Sequence, residues 1–590
     1  MVYLKSVLWL AALNTGPSWA KVNCPLYGLG YPKPSNLLER NGTKVAAEAL
    51  DKAFAQNIDN SNATASDRFS YSVRVFSAND EAPLWSHYWT AKNLATMNTT
   101  GVKKIDSDTV YRVGSVSKIY TMLTLLAEVG DRYWNDPITN FIPEIAAMVD
   151  GTDTSHSIST PNWESITIGS LASQVSGLMR DYALLGELTQ GNNQSQTEAI
   201  GLPAIASTEI PPCGNIPICN RTQFFKGLKR LPPSFSPYVT PAYSDVGFTL
   251  LGYALEEMTG KPFQQSFQEK IVDPLGLNRT FYSTPNDTVG VIPGNRYLTT
   301  WAFDMGNESP TGNVYASASD LSRLGRAILN STLLPWSVTR RWLRPVSFTS
   351  DPRSAVGSPW GVRQIPLPQN SSYQFATTFN KAGSLGKYSV LLAVIPDFDI
   401  GFSIMAAGDV PSSLTMDIAD ALSNTYLPTM VNMARIEANF TYGGTYASVD
   451  ASVNSSLTIS VDPEKPGLGL DPWISNGTDL LWLSVAMGQN VSKAYWSKIR
   501  PSARLYPTGL WDATPGGGKR VAFRAVFEDL SLPNISNPFT TDCSTWVNVA
   551  GLAYGSKPLD EFIFDLNEEG NVTAVENAAL RNRLEKISSS

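Results

Sequence analysis

Histidine is nearly absent from this sequence. Only His87 and His156 occur among 590 residues, which leaves almost no raw material for a Ser-His-Asp apparatus or a multi-histidine metal site. Cysteine is scarce as well, with four residues, and neither histidine lies near a cysteine pair, so no zinc site is expected. Charged side chains make up only 16% of the chain, and the net charge of −7 comes without long runs of either sign. That pattern argues against a nucleic-acid partner. Past the first twenty residues the longest apolar run is Val390–Ile395, far too short to cross a bilayer, so no membrane span is expected. The run Gly516-Gly517-Gly518-Lys519-Arg520 lacks the serine or threonine that a phosphate-binding loop needs, and no dinucleotide fingerprint is present. No cofactor is implied.

What is present is a way to make a nucleophile without histidine. Ser115-Val116-Ser117-Lys118 places a serine three residues before a lysine. On a helix starting at the serine, both side chains share one face. The helix N-terminus disfavours positive charge, which pushes the lysine toward the neutral form that a general base needs. Ser18–Lys21 and Ser384–Lys387 have the same spacing, so context must decide. Only Ser115 follows an apolar extended stretch, Thr109–Val113, and a glycine, with Ile119, Met122, Leu123, Leu125 and Leu126 then recurring at helical spacing. A strand-turn-helix junction is the setting for an exposed nucleophile. The ordinary alternative is a capping serine followed by a solvated lysine.

Two more segments matter. Pro241-Ala242-Tyr243-Ser244-Asp245 sets a tyrosine just before an amphipathic helix, and Lys381-Ala382-Gly383-Ser384 opens a strongly apolar strand. With the Ser115 tetrad these resemble, in order, the S-x-x-K, Y-x-N and K-T-G motifs of serine beta-lactamases and penicillin-binding proteins, the class C-related group above all. Landmarks between them also resemble that family: Asp136-Pro137, Ser176-Gly177-Leu178, Asp273-Pro274-Leu275-Gly276-Leu277 and Asp320-Leu321. The likeness spans residues 40–430.

The resemblance implies a serine hydrolase working through a Ser115 acyl-enzyme on a small-molecule ester, lactone or amide. Lys118 would take the serine proton and Tyr243 would relay it to the leaving group. The N–H groups of Ser115 and Ser384, with Gly383 between strand and turn, would bind the oxyanion. Lys381 would support the Tyr243 anion or meet a substrate carboxylate. Three positions depart from the family pattern. Asp245 replaces the usual asparagine and would hold Lys118 charged unless itself protonated. Ala382 lacks the hydroxyl that often binds a carboxylate, which points to neutral substrates. Gln174 stands where histidine is common. Acyl transfer or cyclisation shares the same intermediate, and a catalytically weak binding homologue is the remaining alternative.

Residues 1–20 read as a signal peptide, with Lys5, the apolar stretch Val7–Leu13 and the small-residue site Ser18-Trp19-Ala20. A secreted product is expected. Sixteen Asn-x-Ser/Thr sequons fit that route: Asn41, Asn62, Asn98, Asn193, Asn220, Asn278, Asn286, Asn307, Asn330, Asn370, Asn439, Asn454, Asn476, Asn490, Asn534 and Asn571. The four cysteines allow two disulfides. Cys213 and Cys219 would close a tight loop, leaving Cys24 for Cys543; the other pairings stay open.

Residues 21–438 read as an α+β domain, an antiparallel sheet flanked by helices. Phe69–Phe76 alternates like a half-buried strand with His87–Ala91 as its hairpin partner, and Tyr388–Ile395 pairs with Asp399–Met405 across Pro396-Asp397. Leu414–Ala438 reads as a helical tail. Residues 439–590 read as an all-β, barrel-like domain with a loose lipocalin-like character. Its expected strands include Leu457–Val461, Leu480–Val485, Arg520–Phe527, Trp546–Val549, Glu561–Leu566 and Val572–Val575, with a short helix over Ala578–Lys586 at the end.

Overall fold

The computed structural model describes residues 21–57, 67–184, 186–214, 217–367, 374–450, 452–488, 493–532 and 543–589. The expected signal peptide and the sequons Asn62, Asn370, Asn490 and Asn534 lie outside these residues. The chain sorts into two compact units: Leu37–Ile365 with Thr377–Tyr426, and Met1–Asn36 with Pro366–Ala376 and Leu427–Ser590.

In the larger unit, eight antiparallel strands follow the order Trp85–Trp89, Phe69–Ser77, Ile400–Gly408, Tyr388–Ile395, Phe375–Leu385, Gly361–Pro366, Ser354–Val356 and Ser347–Phe348. The strand Phe69–Ser77 is buried on both faces rather than half-buried. The helix Ala318–Leu329 packs against it and against Ile400–Gly408, so its Ser70 and Ser72 are covered as fully as its valines. A second sheet is small: Val110–Arg112 pairs with Tyr315–Ser317, which also pairs with Thr280–Phe281. It delivers the chain to the serine helix, Ser117–Val129, whose first ten residues are all buried. Burying Ile119, Met122, Leu123, Leu125 and Leu126 stabilises by roughly 1.5–3 kcal/mol each. That gain offsets the cost of drawing Lys118 under the same surface. The helix Asp245–Thr259 lies alongside, buried through Leu255.

The smaller unit is a closed barrel. Its eight strands are Gly444–Ala447, Ser456–Ser460, Leu468–Ser475, Pro501–Ala513, Lys519–Asp529, Glu561–Leu566, Val572–Asn577 and Asn582–Ser589. Each pairs antiparallel with the next in the chain, and the last closes onto the first. This up-and-down order leaves no free sheet edge among these strands. Tyr446, Trp473, Phe523, Phe562 and Phe564 fill the interior.

Three local expectations in this unit fail. Leu480–Gly488 is a helix, not a strand. Its buried residues Leu481, Ser484 and Val485 follow helical spacing, and Asp479 accepts a hydrogen bond from the Leu481 N–H at its start. Thr545–Asn548 is a 3-10 turn where a strand was expected at Trp546–Val549. The closing segment Asn582–Ser589 is a strand, not a helix. Arg581 takes a left-handed conformation with φ of 55°, turning the chain so that Asn582 pairs with Asn577. Closing the barrel satisfies two strand edges at once, which outweighs the helical propensity of Ala578–Lys586.

The start of the described chain is woven into the barrel unit. Asn23 Nδ2 donates to Ser502 Oγ and Glu528 Oε2, both at 2.9 Å, and the Cys24 N–H donates to Glu528. Cys24 is bonded to Cys543, and Tyr31 joins the barrel core. The second disulfide, Cys213–Cys219, belongs to the larger unit.

Candidate active site

Ser115 sits in a short 3-10 turn, Gly114–Val116, two residues before the helix begins at Ser117 rather than at the helix start itself. The turn is fixed by the Val113 N–H donating to Val314 O at 3.0 Å. Glycine is required on both sides of it. Gly114 has a φ of +51°, and a Cβ there would lie 2.9 Å from Ser384 N. A Cβ on Gly383 would lie 2.2 Å from Val113 O and 2.7 Å from Ser115 N. The strand Phe375–Leu385 therefore runs directly against the serine turn.

Lys118 is fully buried, which removes the reading of it as a solvated surface charge. Its Nζ donates to Ser115 Oγ at 3.2 Å, to Thr311 O at 2.7 Å and to the Asp245 carboxylate. Three acceptors match the three donors of an ammonium group. Burial works to deprotonate this lysine, but Asp245 and then Tyr243 outweigh it and hold Lys118 above the usual lysine range. The neutral Lys118 expected from the helix N-terminus is thus corrected, because the ion pair with Asp245 is the stronger influence.

Tyr243 donates its phenol to Ser115 Oγ at 2.7 Å, so the serine oxygen touches tyrosine and lysine together. The tyrosine segment is stitched to the loop around Gln174–Arg180. Ala242 N donates to Gln174 O at 2.8 Å, Ser244 N to Gln174 Oε1 at 2.5 Å, Ser244 Oγ to Met179 O at 2.7 Å and Asp245 N to Arg180 O at 2.7 Å. Gln174 adopts a φ of 62° to make these contacts. It acts as a structural clamp.

Lys381 is buried, 5.1 Å from the centre of the Tyr243 ring, and donates to Ala382 O. Burial, with Lys118 and Arg180 adding repulsion, lowers it to about 7. Lys118 and Arg180 also lie 5.1 Å from the same ring centre. All seven site residues singled out from the sequence, Ser115, Lys118, Tyr243, Asp245, Lys381, Gly383 and Ser384, thus gather in one region of the larger unit.

Four neighbours were not singled out: Arg180, Asp181, Glu308 and Thr311. Arg180-Asp181 is a charged pair inside the apolar run Leu178–Leu184, a signal that was available. Burial, reinforced by Asp245, raises Asp181 to about 7; burial, reinforced by Asp181 and Asp245, raises Glu308 to about 8. Among the described residues no group of three or more His, Cys, Asp or Glu side chains is arranged to hold a metal ion.

The Asp245 carboxylate opposes deprotonation of every base beside it. Asp245→Asn is therefore expected to move the acidic limb of the kcat/KM profile to lower pH by roughly one unit. A pH series on the variant checks this. An unmoved limb would mean that Asp245 is coupled to no group that gates the reaction.

A family model described as Beta-lactamase matches residues 71–424, and one described as Beta-lactamase-like-like, C-terminal domain, matches 434–588. A "Beta-lactamase-like protein" of Arthroderma benhamiae is 28% identical over 583 residues, covering 95% of each chain. "Probable hydrolase M10" of Phoma sp. is 28% identical across 77% of this chain and 73% of its own. Among solved structures, a class C beta-lactamase aligns with 66% of this chain and 97% of its own, at 15% identity and a TM-score of 0.44. With more than half its length matched by the first model, the chain belongs to the beta-lactamase family of hydrolases.

Proposed function

We propose that the protein is a serine hydrolase whose Ser115 forms an acyl-enzyme with a small-molecule ester, lactone or amide. The observation that carries this reading is the double contact at Ser115 Oγ, 2.7 Å from the Tyr243 phenol and 3.2 Å from Lys118 Nζ. Because Lys118 is held as an ammonium, the reacting form is the one in which Tyr243 has lost its proton. Ser115 Oγ then attacks the carbonyl carbon as its proton passes to the Tyr243 oxygen, with Lys118 and Lys381 balancing the charge. Tyr243 returns the proton to the leaving group as the carbonyl–leaving-group bond breaks. Water repeats the sequence to release the acid. The main-chain N–H groups of Ser115 and Ser384 stabilise the oxyanion, a contribution of several kcal/mol in such sites. The close approach of Gly114 to Ser384 supports that assignment.

Secretion is part of the proposal. Two disulfides and eleven exposed sequon asparagines support passage through an oxidising, glycosylating compartment; Asn439 alone among the described sequons is half-buried. No helix among the described residues is long and apolar enough to cross a membrane.

Intact-mass and peptide analysis after exposure to a fluorophosphonate tests the reaction. The expected result is a single adduct on the peptide carrying Ser115. An unmodified protein, or an adduct elsewhere, would overturn the serine assignment.

A further inference from the structure

We propose that Arg180 is an anion anchor at the rim of this site, so that the preferred substrates carry a carboxylate or comparable negative group near the scissile bond. The inference rests on the serine reading above and deepens it to a substrate class.

Position comes first. Lys118 and Lys381 are buried, Ser115 and Tyr243 are half-buried, and Ser384 and Arg180 are exposed. Arg180 is thus a solvent-exposed cation beside the tyrosine whose phenol meets Ser115 Oγ. Its guanidinium carbon lies 5.1 Å from the centre of the Tyr243 ring, yet 65% of its side chain is open to water. The main chain at Arg180 is fixed, because Arg180 O accepts from both Asp245 N and Val246 N at the start of the tyrosine helix.

Charge comes second. Arg180 makes only a long ion pair with the acid beside it. Nε lies 3.7 Å from Asp181 Oδ2, beyond hydrogen-bond distance, and the Asp181 side chain is only 7% exposed. Asp181 is raised to about 7 and Glu308 to about 8, so near neutral pH both carry less negative charge than ordinary carboxylates. Asp245 is itself engaged by Lys118 Nζ. A planar, solvent-facing guanidinium matches a carboxylate in a two-point contact. Ala382 removes the usual hydroxyl partner for such a group, and Arg180 supplies a different one on the tyrosine side.

The test compares p-nitrophenyl butyrate with the p-nitrophenyl monoester of succinate, matched in length and differing in charge. Both are assayed with the full-length protein and its R180Q and R180K variants. In the unmodified protein kcat/KM is expected to favour the anionic ester roughly tenfold to hundredfold at low salt, the worth of one charge-assisted hydrogen bond. Added salt should shrink that ratio. R180Q should bring it near one, and R180K should restore part of it. A ratio near one in the unmodified protein, or a ratio that R180Q leaves intact, would overturn the anchor while turnover through Ser115 stands. Absence of turnover of either ester together with no fluorophosphonate adduct on Ser115 would instead remove the serine reading on which the anchor rests.

Discussion

Replacing Ser115 with alanine is expected to lower ester turnover by at least about a thousandfold, the usual penalty for deleting a covalent nucleophile. Stability should barely move. The serine is half-buried in a turn held by main-chain contacts, and its hydroxyl packs nothing in the core. Lys118 would keep Asp245 and Thr311 O as partners, so no buried charge is stranded. Tyr243 would lose one acceptor at a half-open position where water can replace it. Kinetics with short-chain p-nitrophenyl esters, run beside a thermal unfolding curve, separate the two quantities. Activity within tenfold of the parent would sink the nucleophile assignment. A large fall in melting temperature would mean that the turn, and not the chemistry, had been damaged.

The second large effect concerns stability. Cys24 and Cys543 lie 519 residues apart in sequence, whereas Cys213 and Cys219 are separated by 6. In the chain-entropy model, closing the long loop contributes about 6 kcal/mol and the short one about 2 kcal/mol. The double replacement Cys24→Ser with Cys543→Ser is therefore expected to lower the unfolding midpoint of the barrel unit far more than Cys213→Ser with Cys219→Ser lowers that of the larger unit. Calorimetry of both variants decides it. Equal small shifts would mean that the Asn23–Glu528 hydrogen bonds and Tyr31 hold the strap without help from the covalent link.

The site was legible in the sequence because its chemistry is written in short, ordered motifs. The fold brings Ser115, Tyr243 and Lys381 together from three distant stretches. The protonation state of Lys118 was less legible. Burial and Asp245 pull in opposite directions, and only the contact between Lys118 and Asp245 shows that Asp245 prevails. Arg180 interrupts the apolar run Leu178–Leu184, which marks it as unusual, but the string of residues does not reveal that its carbonyl is pinned to the tyrosine helix. In the barrel, alternation found Glu561–Leu566 and Val572–Val575 but missed Pro501–Ala513, whose Pro507 and Gly509 interrupt the pattern at a register shift. The run Leu480–Gly488 is apolar except for Ser484 and its closing glycine, and such a run does not distinguish helix from buried strand. The closing strand was hidden for another reason. Its conformation is set by the two strands it joins, one of which lies more than a hundred residues earlier in the chain.

The weaving of residues 21–36 into the barrel unit has a consequence for biosynthesis. These residues leave the ribosome early, but Ser502, Glu528 and Cys543 are made only after the whole larger unit. At ordinary rates of translation the strap waits on the order of tens of seconds for its binding site to exist. Throughout that interval Cys24 is a thiol without its partner, and Cys213 and Cys219 emerge partway through it. Early closure of the short Cys213–Cys219 loop would remove both competitors before Cys543 arrives. The order in which two bonds form then decides whether the first segment of the chain ever reaches the last.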